Sequence, residues 1–173
     1  MTTIKKGRHY PCPGFMIQLP KWVSKNKPTY RSKCFRFTES CLFDLHDEDQ
    51  WDVNKLFGFS IGWHHRTSFR FGWRPILETE QIEIVAYEYH NGIRQKTRPI
   101  HRIEVNSTYQ FLLSYHPMEQ KTEYTILNTK KLINLFEFPY LEKKSGLGYT
   151  LGLYFGGNEK APQDITILKC RKG

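Results

Sequence analysis

The segment Asn54–Trp73, NKLFGFSIGWHHRTSFRFGW, combines aromatic rings, glycines and a few well-separated polar residues. It predicts two strands, Lys55–Ser60 and Thr67–Arg74, with a loop between them. A second segment, LGLYFGGNEKAPQDITI (Leu151–Ile167), has the same make-up. Rings and hydrogen-bond donors would stand on the strands, while glycines let the backbone turn or let a ligand come close. An antiparallel β-sandwich can build a ligand-binding face in this way.

The clearest strand is predicted at Gln81–Tyr89, before Asn91-Gly92, a strong signal for a two-residue hairpin turn. Alternation separates its side chains into two faces. Ile82, Ile84 and Ala86 form one face, which we expect to be core. The other face is aromatic and polar, like the concave face of a sugar-binding sandwich, and contains Glu83, Val85, Tyr87 and Tyr89.

The rest of the chain predicts seven more strands and no helix of convincing length. These strands are Cys34–Thr38, Ile100–Val105, Tyr109–Tyr115, Glu123–Leu127, Leu132–Phe138, Thr150–Phe155 and Ile165–Cys170. Many short strands joined by turns indicate an all-β fold, a two-sheet antiparallel β-sandwich of jelly-roll type. Residues 1–31 contain four of the nine prolines and predict an extended N-terminal arm, followed by a single β-sandwich domain at 32–173.

Composition limits the expected binding partners and cellular location of the protein. The chain has 173 residues, 15% aromatic residues and a net charge of +9, which favours either a solvated basic surface or an anionic partner. It has no run of about 18 apolar residues and no apolar stretch behind the first lysines, so we expect no membrane span and no signal peptide. The expected location is the cytoplasm as synthesised, or a virion. Cys12 and Cys170 could meet on adjacent strands, although reduced thiols are the default.

Four motifs carry a resemblance to known proteins. NKLFGFS, HH-x-x-S-x-R-x-GW, IEI-x-AY-x-Y-x-NG and YFGGNEKAP-x-DI-x-I, within residues 33–170, resemble a group of small uncharacterised β-sandwich proteins of Bacteroidetes and their phages. At a looser level, the strand order and the closing aromatic–glycine pair resemble the concanavalin-like jelly rolls. Those include legume-type lectins, laminarinase-like glycosidases and alginate-lyase-like polysaccharide lyases, so this resemblance implies a glycan ligand by analogy.

Non-catalytic glycan binding is the leading functional prediction. Aromatic rings stack on the apolar faces of sugars, while Arg, Asn and His side chains bind their hydroxyl groups. The predicted ligand-binding residues are Trp63, His65, Arg70, Trp73, Tyr87, Tyr89 and Asn158. The structural alternative is that the tryptophans belong to the core and that Arg70 pairs with Asp164 to join the sheets.

Catalysis is a further alternative. A polysaccharide lyase acting on an acidic glycan needs a base and a group that neutralises the substrate carboxylate. His65, Arg70, Tyr87 and Tyr154 are the candidates, although His64 and His65 would point to opposite faces if the chain were extended there. Glycoside hydrolysis would have to use Glu78 and Glu80, which we expect in a solvated turn.

The acidic loop 44–54 and the N-terminal residues 1–31 indicate other possible partners. No cofactor is predicted; a calcium ion on Asp47, Asp49 and Asp52 is the alternative to a solvated loop. A virion structural or decoration role would use residues 1–31 to engage neighbouring subunits or copies of the chain. Nucleic acid is not favoured, because no helix is offered to a groove and no RNA-recognition signature is present.

Overall fold

The computed structural model describes residues 1–11, 20–128, 131–139 and 142–170. Three short 3-10 helices lie at Glu39–Cys41, Glu48–Trp51 and Leu77–Thr79. The strands are β1 (Thr2–Ile4), β2 (Lys21–Val23), β3 (Thr29–Phe37), β4 (Asn54–Ser60), β5 (Ser68–Ile76), β6 (Gln81–His90), β7 (Ile93–Arg94), β8 (Arg98–Glu104), β9 (Thr108–His116), β10 (Lys121–Asn128), β11 (Lys131–Pro139), β12 (Gly146–Gly148), β13 (Thr150–Leu151) and β14 (Ile165–Lys169).

The strands form two main antiparallel sheets. The first sheet has the order β1-β14-β3-β9-β10-β11, and the second has the order β13-β4-β5-β6-β7, with β8 also paired to β6. A small pair, β2 with β12, lies outside both. The predicted class, an all-β two-sheet antiparallel sandwich of jelly-roll type, is confirmed.

Aromatic side chains from both sheets fill the space between them. Phe69, Phe71 and Trp73 alternate along β5 and have no exposed surface. Phe71 contacts Phe111 of β9 and Tyr124 of β10, with ring centroids 5.2 and 4.9 Å apart. Fully burying such side chains is worth several kcal/mol across the cluster, about 1.5–3 kcal/mol for each phenylalanine. Alternation in β5 and β6 therefore fixes which side of the second sheet faces solvent.

One buried carboxylate also joins the two sheets. Glu88 of β6 is only 1% exposed and accepts hydrogen bonds from the Thr122 and Tyr124 hydroxyl groups, both at 2.6 Å. Its other oxygen lies 2.5 Å from His90 Nε2. These partners satisfy a group that would be costly to bury alone. The network fixes the position of β6, in the second sheet, relative to β10, in the first.

The hairpin predicted at Asn91-Gly92 is present. Both residues have positive φ angles, 53° and 86°, as a turn of this kind requires. The turn pairs Tyr89 with Arg94 and His90 with Ile93. It therefore places the Arg94 position opposite Tyr89 at the edge of the second sheet.

The first residues of the chain join the first sheet. β1 pairs with β14, and the Gly7 amide donates to the Ala161 carbonyl. The predicted boundary between arm and domain, after residue 31, falls inside β3. Sheet pairing therefore begins at residue 2, and the division into an arm at 1–31 and a domain at 32–173 stays a prediction.

Other predictions need adjustment near the C-terminus. The sequence predicts a strand at Thr150–Phe155, whereas the observed strand covers only Thr150–Leu151. Tyr154 forms an isolated bridge with Lys55.

The predicted pairing of Cys12 with Cys170 cannot be followed, because Cys12 lies outside the described residues. Cys170 donates its amide to the Cys34 carbonyl, and both have free thiols. No helix in the described ranges is long and apolar enough to cross a membrane.

Candidate ligand-binding groove

A groove of about 610 Å³ lies on the side of the second sheet that faces away from the core. Its volume is in the range of small-molecule sites, about 300–1,000 Å³. The residues that line it come from β4–β7 and from four connecting segments. They are Trp51, Asp52, Val53, Lys55, His65, Arg74, Tyr87, Tyr89, Arg94, Thr97, Gly157 and Asn158.

The floor of the groove is apolar. Val53, Val85 and Tyr87 form a small buried cluster separate from the core, with Tyr89 packed against it. The Tyr87 and Tyr89 rings lie 5.9 Å apart in an edge-to-face arrangement. Gly72 permits this packing, because a Cβ there would collide with Val53 and come within 2.9 Å of Val85. Two rings are thus held on a rigid strand.

Trp51 forms one wall and is well exposed. Its side chain is 54% exposed, and the Arg74 guanidinium lies over the ring, 5.6 Å from the centroid. Arg74 is itself held by Glu83, with Nη2 2.5 Å from the carboxylate. This chain of contacts positions a large aromatic surface before any ligand arrives, which lowers the entropic cost of binding.

Lys55 lies between the rings of Tyr87, on the floor of the groove, and Tyr154. Its Nζ is 4.8 Å from the Tyr87 ring centroid and 5.5 Å from that of Tyr154. Burial and, to a smaller extent, the positive charges of Arg70 and Arg94 lower the pKa of Lys55 to about 8, while Asp52 acts in the opposite direction. The ammonium group is therefore desolvated at neutral pH and still charged.

Two neighbouring side chains, Tyr89 and Arg94, act on the titration of the Tyr87 hydroxyl group. Burial and Tyr89 raise the pKa of Tyr87 to about 12, although Arg94 acts in the opposite direction. Tyr87 is therefore a neutral hydrogen-bonding group at physiological pH.

The two adjacent histidines lie in the turn between β4 and β5 and not in an extended strand. Their rings are 4.2 Å apart, so the opposite-face arrangement that an extended chain would give does not apply. His64 Nδ1 is 2.9 Å from the Tyr149 hydroxyl group. Burial lowers the pKa of His64, and His65 and Arg70 add to this effect. His65 is exposed, lines the groove and contacts the Tyr89 ring edge-on at 5.4 Å.

Arg70 adjoins the groove on the same face. Its Nη2 donates to the Gly152 carbonyl at 2.9 Å, and its enclosed Nε has no hydrogen-bond partner among the described residues. Burial lowers the pKa of Arg70 to about 10. Gly58 makes room for this side chain, since a Cβ there would come within 2.8 Å of Arg70 Cγ.

The acidic loop forms one end of the groove without assembling a metal site in the described residues. Asp47 accepts from the Asp49 amide at 2.9 Å and caps the 3-10 helix Glu48–Trp51. Desolvation and then the carboxylates of Asp52 and Asp47 raise the pKa of Asp49. No three His, Cys, Asp or Glu side chains in the described ranges are grouped to hold a metal ion. Calcium binding stays a prediction.

The predicted ligand-binding residues divide into three sets. His65, Tyr87, Tyr89 and Asn158 line the groove. Arg70 adjoins it, as does the lyase candidate Tyr154, while Trp63 is 65% exposed beyond it and contacts the His64 ring. Trp73 is fully buried against Phe37 and Phe43, so its assignment to the ligand face is wrong.

The proposed pair of Arg70 with Asp164 is also wrong. Asp164 instead pairs with Lys5, at 2.7 Å, and accepts from the Lys6 amide. Glu80, considered for glycoside hydrolysis, ends the 3-10 helix Leu77–Thr79 with a positive φ of 53° and is exposed. That segment is the turn between β5 and β6, as expected from the sequence.

Sequence reasoning missed most of the charged groups of the groove. Arg74 could have been found, because it lies at an even separation from Arg70 on β5. Arg94 could have been found from the Asn91-Gly92 turn, which sets its register against Tyr89. Lys55 had no such signal, since the pairing of β4 with β5 is irregular between Lys55 and Phe57. Trp51 lies in a loop that no periodicity describes.

No protein-family model and no curated protein sequence matches this chain. Solved structures with a similar fold include chicken galectin 2, with 12% identity and a TM-score of 0.41 over 98% of both chains. Winged bean acidic lectin, in complex with methyl-α-D-galactose, has 9% identity and a TM-score of 0.47, over 86% of this chain and 72% of that one. Peanut lectin with a nine-residue peptide has 12% identity and a TM-score of 0.40, over 90% and 80%. Identities of this size do not transfer a binding site.

Proposed function

We propose that this protein binds a carbohydrate, without transforming it, in the groove on the outer face of the second sheet. The observation that carries the proposal is the composition of the groove. Three aromatic rings, Trp51, Tyr87 and Tyr89, stand beside polar groups that include His65 and Asn158. Sugars combine apolar ring faces with hydroxyl groups, so stacking and hydrogen bonding can act together.

The rigidity of the groove supports binding. Tyr87 and Tyr89 stand on the C-terminal half of β6, and the Arg74 guanidinium lies over the Trp51 ring. Because these side chains already have partners, little conformational entropy would be lost when a sugar binds. The nature of the sugar is not determined by the rings, which accept any apolar sugar face.

A polysaccharide lyase is the second candidate, favoured by one observation. Its four candidate residues lie on or beside the same face, since His65 and Tyr87 line the groove and Arg70 and Tyr154 adjoin it. Tyr87 argues against turnover, because its raised pKa opposes the loss of the proton that a catalytic base needs. We therefore place binding before lyase activity.

A phage virion role is the remaining alternative and has less support. Its proposed N-terminal connector is partly engaged within the chain itself, through β1 on β14 and the His9 contacts with Phe155 and Tyr154. Residues 2–4 are therefore not a free arm that could be donated to a neighbouring subunit, although β1 stands at the edge of its sheet.

A glycan microarray tests the proposal. The wild-type protein should bind a related set of glycans, and Tyr89→Ala should reduce binding at least about fivefold, since aromatic contacts of this kind are worth about 1–3 kcal/mol. Tyr30→Ala is the matched control, because Tyr30 is 54% exposed on β3 of the first sheet.

Three outcomes separate the candidates. Retention of glycans by the wild type and the Tyr30 variant, but not by the Tyr89 variant, supports binding in the groove. Ultraviolet absorbance from an unsaturated uronate product, released by the wild type and lost in Tyr87→Phe, would support the lyase instead. Absence of any glycan bound would refute the proposal.

A further inference from the structure

The positive charges at the groove are unequally compensated. Arg74 has a carboxylate partner, Glu83. None of the ion pairs among the described residues involves Lys55, Arg70 or Arg94, and the positive charges of Arg70 and Arg94 both lower the pKa of Lys55. The face therefore carries excess positive charge at the place where ligand rings would stack.

Lys55 is the most informative of these cations. It is partly buried, its Nζ lies above the Tyr87 ring, and a Cβ at Gly156 would come within 2.9 Å of it. Desolvating an ammonium group without a carboxylate partner costs stability. An apolar side chain of the same length would fill this space without that cost. The lysine at this position therefore does not serve the stability of the unliganded protein, and an anionic ligand would give its ammonium group a partner.

Arg94 and Arg70 extend the same positive region. Arg94 lies at the edge of the second sheet, opposite Tyr89, and lines the groove together with Tyr87. Arg70 lies across from Tyr87 in the pairing of β5 with β6 and acts on the charge of Lys55. Asp52 is the acidic residue that lines the groove, and it does not form an ion pair with any described cation.

We propose that the groove binds the acidic substituent of its glycan, a carboxylate or a sulfate, between Lys55 Nζ and the Arg94 guanidinium. Arg70 adds positive charge from the adjoining part of the face. This inference rests on the proposed function and narrows its ligand to acidic glycans. The aromatic floor would hold the sugar ring, and the two cations would orient its acidic group.

The first test uses matched pairs of glycans on one array. Each uronate is printed beside its methyl ester, and each sulfated glycan beside its desulfated form. The wild type should prefer the acidic member about tenfold or more, since a charge-assisted hydrogen bond is worth about that factor. Lys55→Met should lose most of the preference, while Lys25→Met, at an exposed turn between β2 and β3, should keep it.

The outcomes distinguish the inference from the function on which it rests. Equal binding of acidic and neutral members by the wild type would overturn the inference and leave glycan binding intact. Binding of no member would overturn both. A preference confined to uronates, or to sulfated glycans, would identify the acidic group and support the inference.

A second test does not depend on glycans. Inorganic sulfate is titrated against chloride at equal ionic strength, and the NMR signals of the Lys55 side chain and the Arg94 Nε–H are followed. Sulfate should produce saturable shifts in the wild type, and the Arg94 shift should disappear in Lys55→Met. Identical responses to sulfate and chloride would overturn the anion site even if the array shows glycan binding.

Discussion

Replacing Lys55 by methionine should make the folded protein more stable while it weakens ligand binding. Burial and the neighbouring Arg70 and Arg94 lower the pKa of Lys55 from 10.5 to about 8. At about 1.4 kcal/mol for each pH unit, the charged form costs the fold about 3 kcal/mol at neutral pH. Contacts of the ammonium with the Tyr87 and Tyr154 rings return about 1 kcal/mol. The expected net gain is therefore about 2 kcal/mol.

The pH dependence gives the sign of the effect. The folded pKa of Lys55 is lower than the unfolded one, so the cost is fully present below pH 8. Between pH 8 and 10.5 the folded protein loses this proton before the unfolded chain does, and the cost declines. The stability advantage of Lys55→Met over the wild type should therefore be largest at pH 7 and small near pH 10.5.

Urea-induced unfolding at several pH values measures this difference. Subtracting the wild-type curve removes the titration of the other groups that face Lys55, namely Arg70, Arg94, Asp52, Tyr87 and Tyr154. Lys25→Met, which removes the same charge from an exposed position, should change the free energy of unfolding by less than about 0.5 kcal/mol. A Lys55→Met protein that is less stable than the wild type at pH 7 would refute the reasoning.

Three further predictions concern the fold and use the same unfolding measurement. Glu88→Ala should cost about 3 kcal/mol or more, because two buried hydroxyl groups of the first sheet lose their acceptor; an unchanged midpoint would contradict the proposed network. Gly58→Ala should cost at least about 1–3 kcal/mol, because its Cβ would collide with the β5 backbone, whereas Gly152→Ala meets no atom within 4 Å and should be tolerated. Trp73→Ala should cost about 3–5 kcal/mol, whereas Trp63→Ala should cost less than about 0.5 kcal/mol; similar losses would mean that the two tryptophans are not core and surface.

The strands and the hairpin could be predicted because their signals are local. The period of two in Gln81–Tyr89 separates Ile84 from Tyr87, and the structure places these on opposite faces. Asn91-Gly92 fixes the turn, because both positions need positive φ angles. The same rule shows why one prediction failed. Arg70 and Trp73 lie three positions apart on one strand, so they cannot share a face.

The groove itself depended on information that is not local. Lys55 precedes an irregularity in the pairing of β4, so its face cannot be read by alternation. Trp51 and Asn158 come from loops far apart in the sequence, and their meeting depends on how the loops fold over Val53. Gly156 permits part of this packing, since a Cβ there would collide with the Val53 backbone. His65 was predicted by residue type and lies in the loop expected between the two strands, whereas its contact with the Tyr89 ring was not predicted.

The central claim is that a glycan binds on the outer face of the second sheet. The most direct test is an NMR titration of the isotopically labelled protein with the glycan that binds best on the array. The account predicts that the largest shifts occur at Lys55, Tyr87, Tyr89 and Asn158. Shifts concentrated on the first sheet, or around the exposed Trp22 and Leu147 of the β2–β12 pair, would contradict it.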